Sequence, residues 1–195
     1  GSIVRAAASR AWDLSDEDGI ALGSFDAVIV TAPAPQTAEL VRVASPALAE
    51  RAGSVAFEPC WSVMAAWNEP LDLPFNAAAG HGLTWAVSDG AKPGRDDRER
   101  WVLQADDALS TALLEQTPEA VGRDLLDRFA ALAGRPLPEP GHVAAHRWLY
   151  SRPRTPLDEP FLRDGTLLMA GDWCGGRTAG DAVRSGRAAA AALIA

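Results

Sequence analysis

Residues 165–195 read GTLLMAGDWCGGRTAGDAVRSGRAAAAALIA, and the order of elements in this stretch decides the fold. The apolar run Leu167, Leu168, Met169, Ala170 has the length of a buried strand, and Gly171-Asp172 stops it. A helix is predicted after it, because Ala182, Val183, Gly186, Ala189, Ala190 and Leu193 recur at three- and four-residue spacing while Arg184 and Arg187 fall off that stripe. Strand and helix are joined by a loop holding Gly171, Gly175, Gly176 and Gly180. Such a loop lets backbone N–H groups approach a ligand, and the helix start behind it offers unpaired donors and a partial positive charge. That combination suits an anion or a carbonyl oxygen.

Working outward, Phe25–Thr31 is an almost continuous apolar run ending at Ala32-Pro33-Ala34-Pro35, which predicts a strand buried on both faces. A helix is expected over Thr37–Val43. Before it, Ile3–Ala7 reads as a strand, and Trp12-Asp13-Leu14 leads into the acidic turn Ser15–Gly19, after which Ile20–Leu22 resumes as in a hairpin. In the middle of the chain, Ser54–Trp67 predicts one long strand or two joined at Pro59, with further strands at Gly82–Ser88, Trp101–Gln104 and His142–Tyr150. Lys92–Arg100 is a charged, exposed loop. Pro118 opens a helix whose apolar positions are Val121, Leu125, Leu126, Phe129 and Leu132, closed by Gly134 and Pro136. The proline-laden stretch Pro153–Pro160 carries the chain back to the closing strand. The elements together predict an α/β fold of the mixed, α+β kind.

The 195 residues are 48% apolar and 23% charged, as in a folded globular protein. A formal net charge of −8 argues against a nucleic-acid surface, which needs a basic footprint. Cys60 and Cys174 are too few for a disulfide framework, and reduced thiols in the cytoplasm are expected. No apolar run is long enough to span a membrane. Gly1-Ser2 reads as an expression remnant outside the fold.

The pattern GDWCGG followed by GDAVRSGRAAA resembles the closing motif of the FAD-dependent amine oxidases, and within that superfamily it is most similar to the renalase-like oxidoreductases. FDAVIVTAPAPQTAEL and WVLQADDALSTALLEQTPEAV extend the likeness over most of the chain, with departures at Gln104 and Ala108, where that group more usually carries histidine and tryptophan. The resemblance implies three segments. Residues 1–45 would be the meander and returning strand of an FAD-binding domain, residues 46–150 a substrate-binding mixed β-sheet domain with helices, and residues 151–195 the closing strand, glycine loop and helix of the Rossmann-like FAD-binding domain. By the same resemblance, Gly171 and Asp172 would lie beside the ribityl and pyrophosphate part of FAD. The backbone of Gly180, Asp181, Ala182 and Val183 would face the flavin pyrimidine edge, where the helix dipole favours negative charge in the reduced state.

The activity implied is oxidation of a reduced nicotinamide dinucleotide isomer by hydride transfer to the flavin, with reoxidation by oxygen to hydrogen peroxide. A flavin amine oxidase with an aromatic cage is the alternative. No GxGxxG turn follows an early strand, so an N-terminal FAD-binding segment outside this sequence is the expected partner, and self-association into a homo-oligomer is expected where that segment would pack. A third reading is a folded binding domain without activity.

Flavin chemistry asks the protein for stacking, alignment and exclusion of water more than for acids and bases. The segment His146–Arg154 is dense in suitable side chains. On a strand, Arg147 and Leu149 share one face while His146, Trp148 and Tyr150 share the other. Trp148, Arg147 and Tyr150 are therefore the catalytic candidates, the aromatics to stack a ring or amine and the arginine to hold a phosphate or carboxylate. The same spacing fits ordinary core residues. Asp172 reads either as a turn residue or as a cofactor contact, and Asp181 as a residue favoured at a helix start. Most of Trp61, Trp67, Trp85 and Trp101 are expected in the core, with Trp61 the one that could turn toward a pocket. Cys174 is given no catalytic role. His81, His142 and His146 have no metal-ligand spacing, so no metal is expected, and no GxSxG elbow supports a hydrolase.

Overall fold

Alternating apolar residues near the start of the chain pair three short strands into a meander. The computed structural model describes residues 1–5 and 11–194; Ala6 and Ala7 of the expected first strand lie outside the described residues. In chain order, β1 (Ser2–Arg5), β2 (Trp12–Ser15) and β3 (Ala21–Phe25) form an antiparallel sheet. Ser2 pairs with Ser15, so it belongs to the fold, and the expected hairpin is the β2–β3 half of a three-stranded meander. The turn between them is held by Asp16, whose carboxylate accepts from the N–H groups of Asp18 and Ile20.

The apolar run read as one strand divides at Asp26-Ala27. Phe25 ends β3 at 44% exposure, and β4 is only Val28–Val30, with Val28 and Ile29 half-buried. An apolar run cannot distinguish a central strand from a sheet edge, and β4 is an edge. Two helices follow, α1 (Ala34–Val41) and α2 (Pro46–Gly53), each opened by a proline in its first turn. The first starts three residues earlier than expected, and the second, not expected from the sequence, buries Leu48, Ala49 and Ala52.

The chain then enters a second compact unit, Glu58–Ser151; the first unit comprises Gly1–Phe57 and Arg152–Ala195. The second unit is built on β5 (Phe57–Ala66), β6 (Ala77–Gly80), β7 (Leu83–Ser88), β8 (Arg100–Ala105), α3 (Asp107–Ala112), α4 (Pro118–Ala133) and β9 (His142–Pro153). Strand β5 runs unbroken through Pro59. The sheet order is β6-β7-β8-β5-β9. The helix read from Pro118 ends at Gly134, whose φ of 70° is the left-handed cap that glycine adopts without strain.

Val121, Leu125 and Phe129 of α4 are fully buried in one cluster with Trp61, Val63, Trp101 and Leu103 of the sheet. Phe129 sits 4.8 Å from the Trp101 ring and 6.1 Å from Trp67. Each buried indole finds an acceptor: Trp61 donates to the Leu113 carbonyl at 3.0 Å, Trp67 to Pro138 at 2.8 Å and Trp101 to Glu99 at 2.5 Å.

The chain returns to the first unit through β10 (Leu162–Asp164) and β11 (Leu167–Met169), followed by α5 (Asp172–Gly175) and α6 (Ala179–Ile194). Strand β11 is central: it pairs antiparallel with β10 and parallel with β4, and all three of its residues are fully buried, as its sequence predicts. Among the described residues no helix is long and apolar enough to cross a membrane.

Phe129→Ala is expected to destabilise the Glu58–Ser151 unit by about 3–5 kcal/mol, the range for deleting a fully buried aromatic ring. Urea unfolding followed by tryptophan fluorescence checks this, and a loss below 1 kcal/mol would show that the ring is not the keystone of this core.

Candidate functional site

The strand–loop–helix at the end of the first unit is built by packing before it is built by chemistry. Strand β11 is carried one residue further by the Ala170 N–H, which donates to the Val30 carbonyl at 3.0 Å. The chain then makes the single turn α5, closed by Cys174 N–H to Gly171 O at 3.2 Å and Gly176 N–H to Asp172 O at 2.9 Å. Trp173 points inward at 1% exposure, and its indole donates to the Ala32 carbonyl at 3.2 Å. The ring lies so close to the turn that a Cβ on Gly171 would come within 2.6 Å of the indole nitrogen.

Helix α6 is tied to this turn through Ser185, whose Oγ accepts from the Gly171 N–H at 2.9 Å. Ser185 is 2% exposed, and with Ala189 it forms the buried line of the helix, flanked by half-buried Ala182, Gly186, Ala192 and Leu193. Here the structure corrects the predicted apolar face. Val183 is 53% exposed and Ala190 is exposed, because the line through Ser185 and Ala189 lies about 130° around the helix from the one through Val183 and Ala190. A serine was invisible as a core residue until its backbone partner was known.

The start of α6 carries a reciprocal cap. The Thr178 N–H donates to Asp181 Oδ2 at 2.9 Å, and the Asp181 N–H donates back to Thr178 Oγ1 at 3.2 Å. The Thr-x-x-Asp spacing was the legible signal for it. The Arg177 N–H at 3.0 Å and the guanidinium of Arg184 also reach this carboxylate, and the Thr178 hydrogen bonds foremost hold its pKa below the usual aspartate value. Asp181 fills the space a Cβ on Gly176 would need, 2.0 Å from its Cγ, so glycine is required there sterically.

With Asp181 committed to the cap, Ala179 and Gly180 remain exposed at the first turn, where N–H groups have no intrahelical acceptor. Gly180 adds no side chain to obstruct an approach. A shallow cleft of about 520 Å³ opens beside it, lined by Asp158, Glu159, Gly175, Asp181, Arg184 and Arg187.

Asp172 differs from Asp181 in the direction in which its surroundings shift its pKa. It is half-buried, it forms no ion pair among the described residues, and burial foremost raises its pKa, opposed by the backbone N–H groups of Trp173 and Asp172. Cys174 is fully buried, and desolvation pushes its thiol up to about 11.

The second unit holds the remaining candidates. Trp148 is 53% and Tyr150 38% exposed, so neither is a core residue. His146 and Trp148 share a face as predicted, their rings 4.3 Å apart and edge-on at 64°. Arg147 is engaged within its own unit, its guanidinium donating to the Leu114 carbonyl at 2.5 Å and lying 5.9 Å from the centre of the Trp61 ring. Trp61 itself is 2% exposed. No group of three metal-ligating side chains occurs among the described residues.

The family model described as flavin containing amine oxidoreductase matches residues 2–194. The fold is similar to that of a protein assigned as a protoporphyrinogen oxidase from Exiguobacterium sp. 255-15, with a TM-score of 0.68 at 18% identity over 98% of this chain and 45% of the other. It is also similar to cyclohexylamine oxidase from Brevibacterium oxydans IH-35A, with a TM-score of 0.64 at 13% identity over 98% and 47%. A putrescine oxidase redesigned in its cofactor binding gives 0.62 at 16% identity over 100% and 48%. The chain therefore spans just under half the length of these structures.

Two outcomes are expected here. Because its folded pKa is raised, Asp172 favours the folded state only when protonated; that contribution is complete below the ordinary aspartate value of 3.8 and is lost as pH rises through the folded value. Asp172→Asn should therefore raise the unfolding midpoint at pH 7 relative to the parent chain, with the difference closing by pH 3.5. Equal midpoints at pH 7 would contradict the assignment. Cys174 should resist a thiol-specific reagent at pH 8 in the folded chain and react at once in denaturant, checked by mass spectrometry on a Cys60→Ala background.

Proposed function

The chain belongs to the flavin-containing amine oxidoreductase family, and on that premise we propose that its first unit supplies the ribityl and pyrimidine-edge half of an FAD site while its second unit supplies the substrate-binding sheet. One observation carries the reading: the Gly171–Ser185 bond fixes a half-buried, ion-pair-free Asp172 and the uncovered first turn of α6 on the same strand end. The residues fit the cofactor. Asp172 accepts hydroxyl donors of the ribityl chain, and the N–H groups of Ala179 and Gly180 meet carbonyl oxygen or developing negative charge at the positive end of the helix dipole, whereas the Ala182 N–H already donates to the Thr178 carbonyl at 3.1 Å. Asp181 takes part by holding the helix start in place, its carboxylate and its N–H both bonded to Thr178. When bound, FAD supplies the hydride-accepting chemistry, and oxygen regenerates it with release of hydrogen peroxide.

The sequence holds no GxGxxG turn, so the ADP half of the cofactor is held by polypeptide other than residues 1–195. The renalase-like motifs around Asp172 and Ala182 favour a reduced nicotinamide dinucleotide isomer as substrate. Trp148 and Tyr150, exposed on an edge strand, are the candidates to stack against its ring, and Arg147 braces that strand on Leu114 and Trp61. The exposed His146–Trp148 pair gives specific support to a second reading, an amine oxidase in which aromatic faces hold a neutral amine.

The test is an FAD titration of the chain followed by flavin fluorescence. Asp172→Ala and Gly180→Val should each weaken binding by roughly 10-fold, the effect of losing one charge-assisted hydrogen bond or blocking the helix start. Affinity unchanged by both substitutions would overturn the proposal.

A further inference from the structure

The five-stranded sheet of the second unit ends in two unlike edges. In the order β6-β7-β8-β5-β9, one edge is β6, only Ala77–Gly80, and its pairing shifts register between Ala78 and Gly80. A strand so short and irregular offers little to a further strand. The other edge is β9, His142–Pro153, which contains no glycine and has its one proline at the very end. Over His142–Leu149 its outer side meets no strand among the described residues. A long, regular edge of that kind is a template for another strand.

The same strand carries an apolar knob and borders a hole. Val143 and Ala145 stand on the α4 side: a Cβ on Gly122 would come within 3.2 Å of Val143, and Ala145 packs against the core cluster. Beside them runs a groove of about 470 Å³, lined by Pro118, Gly122, Leu126, Pro140, Val143 and Ala145. Leu149 shares that side of the strand and is 46% exposed. It cannot fill the groove of its own chain, because the strand between Val143 and Leu149 is ~20 Å long. In an antiparallel pair of two β9 strands with His146 opposite its own copy, Ala145 stands opposite Arg147, Ala144 opposite Trp148 and Val143 opposite Leu149. Directly opposite residues lie on one face of a sheet, so each Leu149 arrives at the groove of the other chain.

Charge favours the same pairing. A net charge of −8 opposes the approach of two copies over most of their surface. Strand β9 carries Arg147 and Arg152 and no aspartate or glutamate, whereas the groove is rimmed by Glu119 and Glu139 against Arg123 alone. Two copies joined here set an acid-free strand beside an acid-rich rim, twice over.

We propose that β9 is the interface of a two-fold homodimer, in which the two strands pair antiparallel about His146 and the partner's Leu149 inserts into the groove between Val143 and α4. An isologous contact of this kind closes on itself, so association stops at two chains. The inference goes beyond the flavin reading and does not depend on it.

The experiment is sedimentation equilibrium of the cofactor-free chain, with cysteine crosslinking to read the register. The mass should rise with concentration from that of one chain toward twice that value, and hydrogen exchange at the β9 amides should slow in step. Leu149→Asp, at a position exposed in the single chain, should keep the circular dichroism spectrum and weaken the dimer at least ~10-fold, as expected when a leucine is no longer buried on either side. On a Cys60→Ala background, His146→Cys should form an interchain disulfide on exposure to air, because the residue faces its own copy, whereas Ala144→Cys should not. A mass of one chain at every concentration assigns the edge to a different polypeptide and overturns the proposal. A dimer indifferent to Leu149→Asp, or one that crosslinks as readily from position 144 as from 146, overturns it equally.

Discussion

The parallel ladder between Val28–Val30 and Leu167–Met169 is the constraint on which the first unit depends. It joins two segments separated by the entire second unit, so its closure carries a large loop entropy that three residue pairs could not offset alone. Indole hydrogen bonds reinforce it from both ends. Trp12, fully buried, donates to Thr166 at 2.9 Å, and Trp173 donates to the Ala32 carbonyl, which also accepts from Thr37 at 2.9 Å. Once the ladder is formed, the two chain directions leave the sheet side by side at Ala32 and Gly171. One continues into α1 and the other into the glycine loop.

That loop shows how one residue type takes two roles within ten positions. Asp181 receives hydrogen bonds from Thr178, Arg177 and Arg184 and is held ionised, which locks the start of α6. Asp172 lies behind it, half-buried, with desolvation raising its pKa and the Asp181 charge adding to the rise. The first is a structural anion whose needs are met inside the chain. The second is a half-buried carboxyl that desolvation holds toward its neutral form. Gly171 and Gly176 permit the arrangement by absence, since a methyl group at either would strike Trp173 or Asp181.

The second unit divides its aromatic residues by face. On the helix side, indole N–H groups are satisfied by carbonyls and a carboxylate, and the rings pack on Phe129. On the other side and along the β9 edge, Trp85, Trp148, Leu149 and Tyr150 remain substantially exposed. Large apolar side chains kept in water in such number mark surfaces that act on something else. The buried face accounts for the stability of the unit.

By itself the sequence determined the elements whose signal is local: the fully buried closing strand, the Pro118–Ala133 helix with its glycine cap and the alanine-rich final helix, while it left β5 open between one strand and two. It also carried the Gly-Asp strand end and the Thr-x-x-Asp cap, which depend on residues within a few positions of each other. Only tertiary structure decided that Phe25 and Val28 belong to different strands, that Ser185 is a core residue while Val183 is not, and that Trp85 faces away from the core occupied by Trp101. Each of these turns on a partner far along the chain: an edge position beside β11, the Gly171 N–H, and a one-residue shift against β8. Periodicity fixes which residues share a face, but which face is buried is set by what packs against it, and that information is not local.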